Sequence, residues 1–481
     1  MDYLIRYRQM HETFRQPETE ALAELNGFTI DWISYSNDSP FAIVRFPDNI
    51  DPLIAAQALT SRSILIWSVH ELWGDGKDYS SLHTDIRTRT SHLWSSYRTP
   101  SFRFVCDSHR HSRPTSEQRA TFEALDYLDF QGSIRMKDPD HLFTIFEDYD
   151  LHQKVPKRVC FGRMLAESNG KAVIKYNLKK RKYIATTSMD AELSLITANI
   201  ALCRPGTLAY DPFMGTGSFP LAAAHFGSTV FGSDLDGRSI RGKKGRNVAG
   251  NFEQYGTSAH YLDGFAADLT HTPLRKQRVL NAIICDPPYG VREGLKVLGS
   301  TRDYLQQEVV LRDGTLAHLR EDYIPPRKPY SFLRMLDDIL DFSSEMLVDG
   351  GRLSMWMPVA GSSEEEVNEA GAQIDAPVEE YATPQHPSLQ LVSQCRQDFN
   401  KWSRRLLTYK RFEDASVDAQ AAAAYQMQRL KIQAADADGT ADDLNGFRRK
   451  VRHLFPSLIA MSAFLLTAQQ YFQGFREPVK T

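Results

Sequence analysis

The sequence predicts an α/β protein whose larger C-terminal part is a doubly wound, mainly parallel sheet preceded by smaller α+β units. Three observations carry this reading. Residues 186–411 alternate short apolar runs with helical stretches, the pattern of strands joined by crossover helices. Two of those runs end in loops rich in acid, glycine and proline, at Asp211–Gly217 and Asp286–Gly290. Residues 1–185 carry apolar runs and helical stretches without that regular alternation. The domain boundaries expected are 1–60, 61–185, 186–411 and a helical or flexible extension over 412–481.

Composition is consistent with this. At 481 residues the chain exceeds one ordinary core. Hydrophobic residues make up 42% and charged residues 24%, which excludes wholesale disorder. A net charge of −3 gives no global nucleic-acid signature. The five cysteines lie far apart with no Cys-x-x-Cys pair, against a disulfide framework or a zinc site and in keeping with a reducing compartment. Met1–Arg6 opens no long apolar run, so no signal peptide is expected and a cytoplasmic location is. The apolar stretch Leu454–Ala468 is too short for a membrane span, contains Pro456, and reads as a packed or partner-facing helix.

In chain order, Tyr3–Tyr7 and Phe41–Phe46 are short apolar strands around a helix at Glu18–Leu25, which Asn26-Gly27 closes. Ile64–Leu72, Phe102–Cys106 and Leu142–Phe146 read as strands of the next unit, with a helix at Ser116–Leu125. In the third region Ala191–Leu202 is an amphipathic helix, Gly206–Tyr210 the first strand and Phe219–Phe226 the helix after it. Thr229–Gly232 is the second strand, Arg238–Phe252 a helix weakened by Gly242, Gly245 and Gly250, and His260–Phe265 the third strand. The run Val279–Ile284 is a buried strand, because Pro287 and Pro288 have no N–H for a ladder and stop it. Ser331–Leu347 is a long helix, followed by strands at Arg352–Met357 and Leu406–Tyr409. The alanine run Ala421–Ala424 and the acidic stretch Ala434–Gly439 read as a solvent-facing helix and a linker.

One segment breaks the charge balance. Between Leu151 and Ala185 stand ten Lys or Arg residues against Glu167 alone. Lys154, Lys157, Arg158, Lys179, Lys180, Arg181 and Lys182 are the candidates for holding a polyanion, interleaved with Phe161, Tyr176 and Tyr183. The stretch Arg103–Arg119, with His109 and His111, is a second basic candidate for the same surface.

The glycine-rich turn between first strand and first helix lets the backbone approach a ligand at a helix start. It lacks the third glycine of a dinucleotide fingerprint, having Pro220 there, and it opens with an acid, Asp211. An acid repels a pyrophosphate and suits a cationic ligand such as S-adenosylmethionine. Asp234 follows 23 residues later at the end of the second strand, the place of a ribose-binding acid. Asp268, after the third strand, is placed to accept from an adenine amino group. The cofactor set is therefore Asp211, Phe213, Gly215, Thr216, Gly217, Asp234 and Asp268, with Ser188 and Met189 as further candidates.

The pair of loops, Asp211-Pro212-Phe213-Met214-Gly215-Thr216-Gly217 and Asp286-Pro287-Pro288-Tyr289-Gly290, resembles class I S-adenosylmethionine-dependent amino-group methyltransferases. Phe161–Arg163, Leu178–Tyr183, Thr187–Leu193, Val291–Gly294 and Tyr323–Pro326 narrow the resemblance to the catalytic subunits of eukaryotic tRNA guanine-10 N(2)-methyltransferase, over roughly residues 1–411. The resemblance implies a Rossmann-like methyltransferase domain preceded by a ferredoxin-like part and an RNA-binding THUMP domain. It also implies a small zinc-binding activator subunit, for which the third strand offers a sheet edge flanked by Tyr255, Tyr261 and Leu262.

The chemistry it implies is specific. The exocyclic amine of guanine is a poor nucleophile, because its lone pair is delocalised. The Asp286 carboxylate and the Pro287 carbonyl can each accept one N–H and aim that lone pair, while Tyr289 can stack on the base. No metal is needed, since the leaving group departs as a neutral thioether. Two alternatives stay open: a DNA adenine N(6)-methyltransferase, which uses the same tetrapeptide, and a noncatalytic RNA-binding subunit.

Overall fold

The computed structural model describes residues 1–290, 295–300, 302, 308–320, 323, 325–360, 382–399 and 402–435. Of the segments noted above, Val291–Gly294, Leu454–Ala468 and most of Ala434–Gly439 lie outside them, as does Ile324 within Tyr323–Pro326. The chain forms two compact units, Met1–Ile174 and Lys175–Thr481.

Seven strands of the first unit make one sheet. They are β1 (Tyr3–Tyr7), β2 (Asp31–Ser34), β3 (Phe41–Arg45), β4 (Ile66–Gly76), β5 (Phe102–His109), β6 (His141–Asp148) and β7 (Arg158–Glu167). Their order is β2-β3-β1-β4-β7-β6-β5, so the segments on either side of residue 60 share a single sheet. Helix α1 (Arg15–Leu25) is followed by α2 (Pro52–Arg62), which the sequence reading did not include. Its start signal is local: the Asp51 carboxylate accepts from the N–H groups of Leu53 and Ile54, with Pro52 at the first helical position. Helix α3 (Tyr79–Thr90) begins with a reciprocal Asp78–Ser81 capping box, and α4 (Thr115–Glu123) follows. The buried Glu18 carboxylate accepts from Ser63 Oγ at 2.8 Å and from the Ile64 and Leu65 N–H groups at 3.0 Å each. Those bonds tie α1 to the entry of β4 and satisfy a charge that burial would otherwise penalise.

Strand β7 runs through the basic segment and gives some of its cations partners within the unit. Arg158 grips Asp75 with two 2.8 Å bonds, Arg163 pairs with Glu71 at 2.8 Å, and Lys157 with Asp150 at 2.8 Å. Arg158 is thus paired within the unit, Lys157 is exposed in a surface ion pair, and Lys154 is exposed. In the Arg103–Arg119 stretch two of the basic residues have internal partners, while Arg110 and Arg119 are exposed. His109 is 5% exposed and bonded to Asp148 at 2.9 Å, and Arg113 pairs with the fully buried Glu147 at 2.7 Å.

Helix α5 (Lys171–Tyr176) spans the boundary between the units. The second unit then alternates: α6 (Ala191–Ile200), β8 (Leu208–Asp211), α7 (Ser218–His225), β9 (Thr229–Asp234), α8 (Gly237–Arg241), α9 (Val248–Tyr255), β10 (Tyr261–Ala266) and β11 (Leu280–Cys285). A hairpin of β12 (Lys296–Leu298) and β13 (Arg327–Pro329) precedes α10 (Phe332–Met346), β14 (Leu347–Ala360), β15 (Leu389–Asp398), β16 (Trp402–Arg411) and α11 (Ala419–Ala435). The second sheet has the order β10-β9-β8-β11-β14-β16-β15, and β16 alone of these strands runs against the others. Strand order reverses between β8 and β11, and the crevice at the carboxyl ends of such a pair is where open α/β sheets bind ligands. The core below is apolar, with Ile283, Cys285, Met335, Ile339, Leu353 and Leu407 among its fully covered side chains.

Two elements differ from expectation. The helix expected over Arg238–Phe252 is broken into α8 and α9 by a turn at Gly242–Asn247, where Gly242 and Gly245 take φ of 62° and 74°. Helix α11 is not simply solvent-facing. Arg429 reaches Asp338 at 2.8 Å, Asp337 at 3.3 Å and Asp341 on α10, and the Tyr425 ring packs edge-on against His386 at 4.5 Å. Among the described residues no helix is long and apolar enough to cross a membrane.

Candidate active site

The carboxyl ends of β8, β9 and β11 bring Asp211, Asp234 and Asp286 together. Asp211 ends β8, is 3% exposed, and accepts the Phe213 N–H at 2.9 Å. Burial raises its pKa well above the ordinary carboxylate range, and the charges of Asp234 and Asp286 push it further. Asp234 accepts the Gly215 N–H at 2.9 Å and the Asp236 N–H at 2.8 Å, yet its pKa is also raised, by burial first. The second acid therefore holds the glycine loop of the first. Gly217, φ 82°, begins α7, and a Cβ there would stand 2.9 Å from Val248 Cγ1, so the loop closes tightly on α9. Ser188 Oγ and Thr216 Oγ1 bond at 2.7 Å, joining the segment before α6 to the same loop. Phe213 packs partly buried against the sheet core.

Asp268 is occupied differently. It is 7% exposed and accepts from the His271 N–H at 2.9 Å, Thr270 Oγ1 at 2.7 Å and the Leu298 N–H at 2.8 Å. Those bonds anchor β12 to the end of β10, and they engage both oxygens expected to face an adenine.

Asp286 leaves β11 beside the buried Pro287. Its Oδ1 accepts a hydrogen bond from the Tyr289 hydroxyl, three residues on, so the tyrosine braces the acid. The Asp286 side chain keeps 24% exposure, and desolvation raises its pKa despite two opposing groups, Arg404 and Tyr289. Arg404 is the residue sequence reasoning missed. It is the third residue of β16 and lies 3.8 Å from Asp286 Oδ2, over the Trp356 ring at 4.5 Å and the Phe399 ring at 5.5 Å. Gln397 Oε1 accepts its Nε–H at 2.7 Å, and its Nη2 lies 3.2 Å from Met189 Sδ.

Both parts of the chain match known families. Residues 1–170 match the family described as Tmrp11 THUMP N-terminal domain, and residues 179–301 the one described as RMKL-like, methyltransferase domain. A tRNA (guanine(10)-N(2))-methyltransferase of Saccharomyces cerevisiae is 44% identical over 420 residues, covering 85% of this chain and 92% of its own. One of Schizosaccharomyces pombe is 34% identical over 449 residues, covering 86% and 90%. The chain belongs to the tRNA (guanine(10)-N(2))-methyltransferase family. Among solved structures, TrmN from Thermus thermophilus is 16% identical with a TM-score of 0.39, covering 86% of this chain and all of its own.

Three desolvated carboxylates around a glycine turn favour a ligand that carries positive charge. Replacing Asp234 by Ala is expected to weaken S-adenosylhomocysteine binding by about tenfold or more, because a charge-assisted hydrogen bond to the ribose is lost. Calorimetric titration measures this, and unchanged affinity rules out the ribose assignment.

The expected RNA-binding residues on this unit divide. Lys179, Lys180 and Lys182 are exposed, but Arg181 is 6% exposed and donates to Ser218 Oγ at 2.8 Å. Arg181 is a structural tie to the start of α7, not a phosphate contact, because its neighbours in sequence and not its own side chain face water. At the far edge of the sheet, Tyr261 stacks on Phe252 at 4.2 Å, and on α9 the Tyr255 ring lies tilted against Tyr176 at 4.6 Å. Of the three residues expected to flank the edge, Leu262 alone is exposed, at 62%.

Proposed function

We propose that this chain transfers a methyl group from S-adenosylmethionine to the exocyclic N(2) amine of guanosine 10 in tRNA. The observation that carries it is the braced Asp286, at the mouth of the crevice shared with Asp211 and Asp234, in a chain of this family. The fit to the cofactor rests on the three acids and the glycine turn described above. When bound, S-adenosylmethionine supplies an electrophilic methyl on sulfonium. The chain's own residues do the rest. Asp286 and the Pro287 carbonyl accept the two N–H groups of the target amine and aim its lone pair. Asp286, with a raised pKa, is suited to receive the proton released after transfer. A paired guanosine has to leave its stack first, which costs least at a distorted pair.

Radiolabelled methyl transfer to bulk tRNA, DNA and protein tests this reading, with the product nucleoside identified by chromatography. Label in N(2)-methylguanosine of tRNA is expected. Label in DNA adenine, or none in any substrate, overturns it in favour of the two alternatives named above.

A small zinc-binding activator is part of the same proposal. Strand β10 is the terminal strand of its sheet and presents unpaired N–H and C=O groups beside the exposed Leu262. Replacing Leu262 by Asp is expected to abolish co-purification with the activator while S-adenosylhomocysteine affinity holds. A complex that survives the substitution excludes this edge as the docking site.

A further inference from the structure

The turn that breaks the expected helix between α8 and α9 carries a charge that neither the catalytic residues nor the sequence-stretch candidates above account for. Between Gly237 and Gly256 there are five cations, Arg238, Arg241, Lys243, Lys244 and Arg246, against one acid, Glu253. Arg238 is neutralised by Asp236 at 2.8 Å. Arg241, Lys243, Lys244 and Arg246 are exposed and have no ion pair among the described residues. The turn itself is ordered by backbone bonds, Lys243 N–H to Arg246 C=O and Arg246 N–H to Lys243 C=O, both 3.1 Å.

This turn is continuous with the exposed lysines of the preceding segment. Gln254, at the end of α9, accepts the Lys182 N–H at 2.9 Å and donates to the Lys180 C=O at 2.7 Å. Asn251, one turn earlier, accepts the Tyr183 N–H at 3.0 Å and donates to its C=O at 2.8 Å. The Tyr183 hydroxyl donates to the Ser239 C=O of α8 at 2.7 Å. So the chain from Lys179 to Tyr183 runs back along α9, a helix about 12 Å long at 1.5 Å per residue, toward the basic turn. The start of α9 meets the cofactor loop at Gly217, and Asn251 Nδ2 also reaches the Thr216 C=O at 3.4 Å.

We propose that Arg241, Lys243, Lys244 and Arg246, with Lys179, Lys180 and Lys182, form a phosphate-binding strip on the catalytic unit. It would hold the tRNA backbone beside the cofactor loop while Asp286 engages the base. The proposal rests on the tRNA reading above. Seven unpaired cations flanking one edge of a crevice give a polyanion a register, and base contacts are not required of them. Burial of Arg181 within the same segment fits this division: the inward cation fastens the strip to α7 and the outward ones are left for the ligand.

The test is the full chain carrying Lys243→Glu, Lys244→Glu and Arg246→Glu together, with a Gln triple variant as the milder form. Filter binding of tRNA is measured across a salt series, alongside methylation kinetics and S-adenosylhomocysteine titration. The log–log salt slope is expected to fall by roughly two to three units and KM for tRNA to rise at least about tenfold, since each phosphate contact contributes close to one unit. The kcat at saturating tRNA and the cofactor affinity are expected to hold. An unchanged slope in a wild-type-competent background overturns the strip alone. Loss of cofactor affinity in step with tRNA affinity also overturns it, because the turn then supports the pocket. A wild-type chain that neither binds nor methylates tRNA overturns the reading beneath it.

Discussion

Replacing Asp286 by Ala abolishes methyl transfer, by at least about a thousandfold in kcat, while S-adenosylhomocysteine affinity and thermal stability stay close to those of the unaltered chain. The magnitude follows from losing a preorganised group that acts on the reacting nitrogen, which typically costs 10²–10³ on its own. In the proposed mechanism the same carboxylate also takes the proton. Stability is spared because the side chain is 24% exposed and lies on a loop at the end of β11, not in the core. Steady-state kinetics with a parallel melt checks this, and a variant within tenfold of normal turnover removes Asp286 from the mechanism. The acid must be ionised to accept the amine's N–H. Its pKa lies above the ordinary carboxylate value, so activity falls as pH drops through that raised value. The acid limb of the kcat profile is accordingly expected above the range of an exposed aspartate.

Replacing Arg404 by Gln moves that limb to higher pH and lowers turnover at neutral pH by about tenfold or more. Arg404 is the charge that opposes the desolvation of Asp286, at 3.8 Å, and removing it raises the carboxyl further. Lysine at this position is expected to restore the limb only in part, since a point charge does not stack on Trp356 as the planar guanidinium does at 4.5 Å. A residue that merely packs β16 against β14 would lower turnover at all pH values equally. A pH–rate profile whose limb does not move excludes the positioning role.

What the linear sequence could say about the site was whatever is encoded within a few residues. Asp286-Pro287-Pro288-Tyr289 announces itself because the prolines must end a strand, and a strand's carboxyl end is where such sheets bind ligands. The turn from Asp211 to Gly217 is legible for a similar reason: Gly215 and Gly217 take φ values of 48° and 82° that other residues resist. The alternation of β8 to β11 with their helices is likewise a local pattern of apolar spacing. The helix break at Gly242–Asn247 was half legible. Its glycines weakened the helix, but that a turn would form and expose four cations depended on α9 closing against Gly217.

Charge was the opposite case. A run of lysines and arginines shows its sign in sequence and hides its partners, because an ion pair is formed across strands and not along them. Arg158 is 83 residues from Asp75, and Arg181 is 37 from Ser218. Only the folded sheet revealed that these cations are consumed internally, while Lys179, Lys180 and Lys182 remain outward. Arg404 lies 118 residues beyond Asp286, and two antiparallel strands that extend the sheet bring it over the catalytic loop. The sequence by itself thus determined the fold class, the family resemblance and the loops that carry the chemistry, each a matter of short-range backbone geometry. The tertiary structure alone decided which charged groups face one another across the sheet. Electrostatic pairing acts through space, over distances that the order of residues does not record.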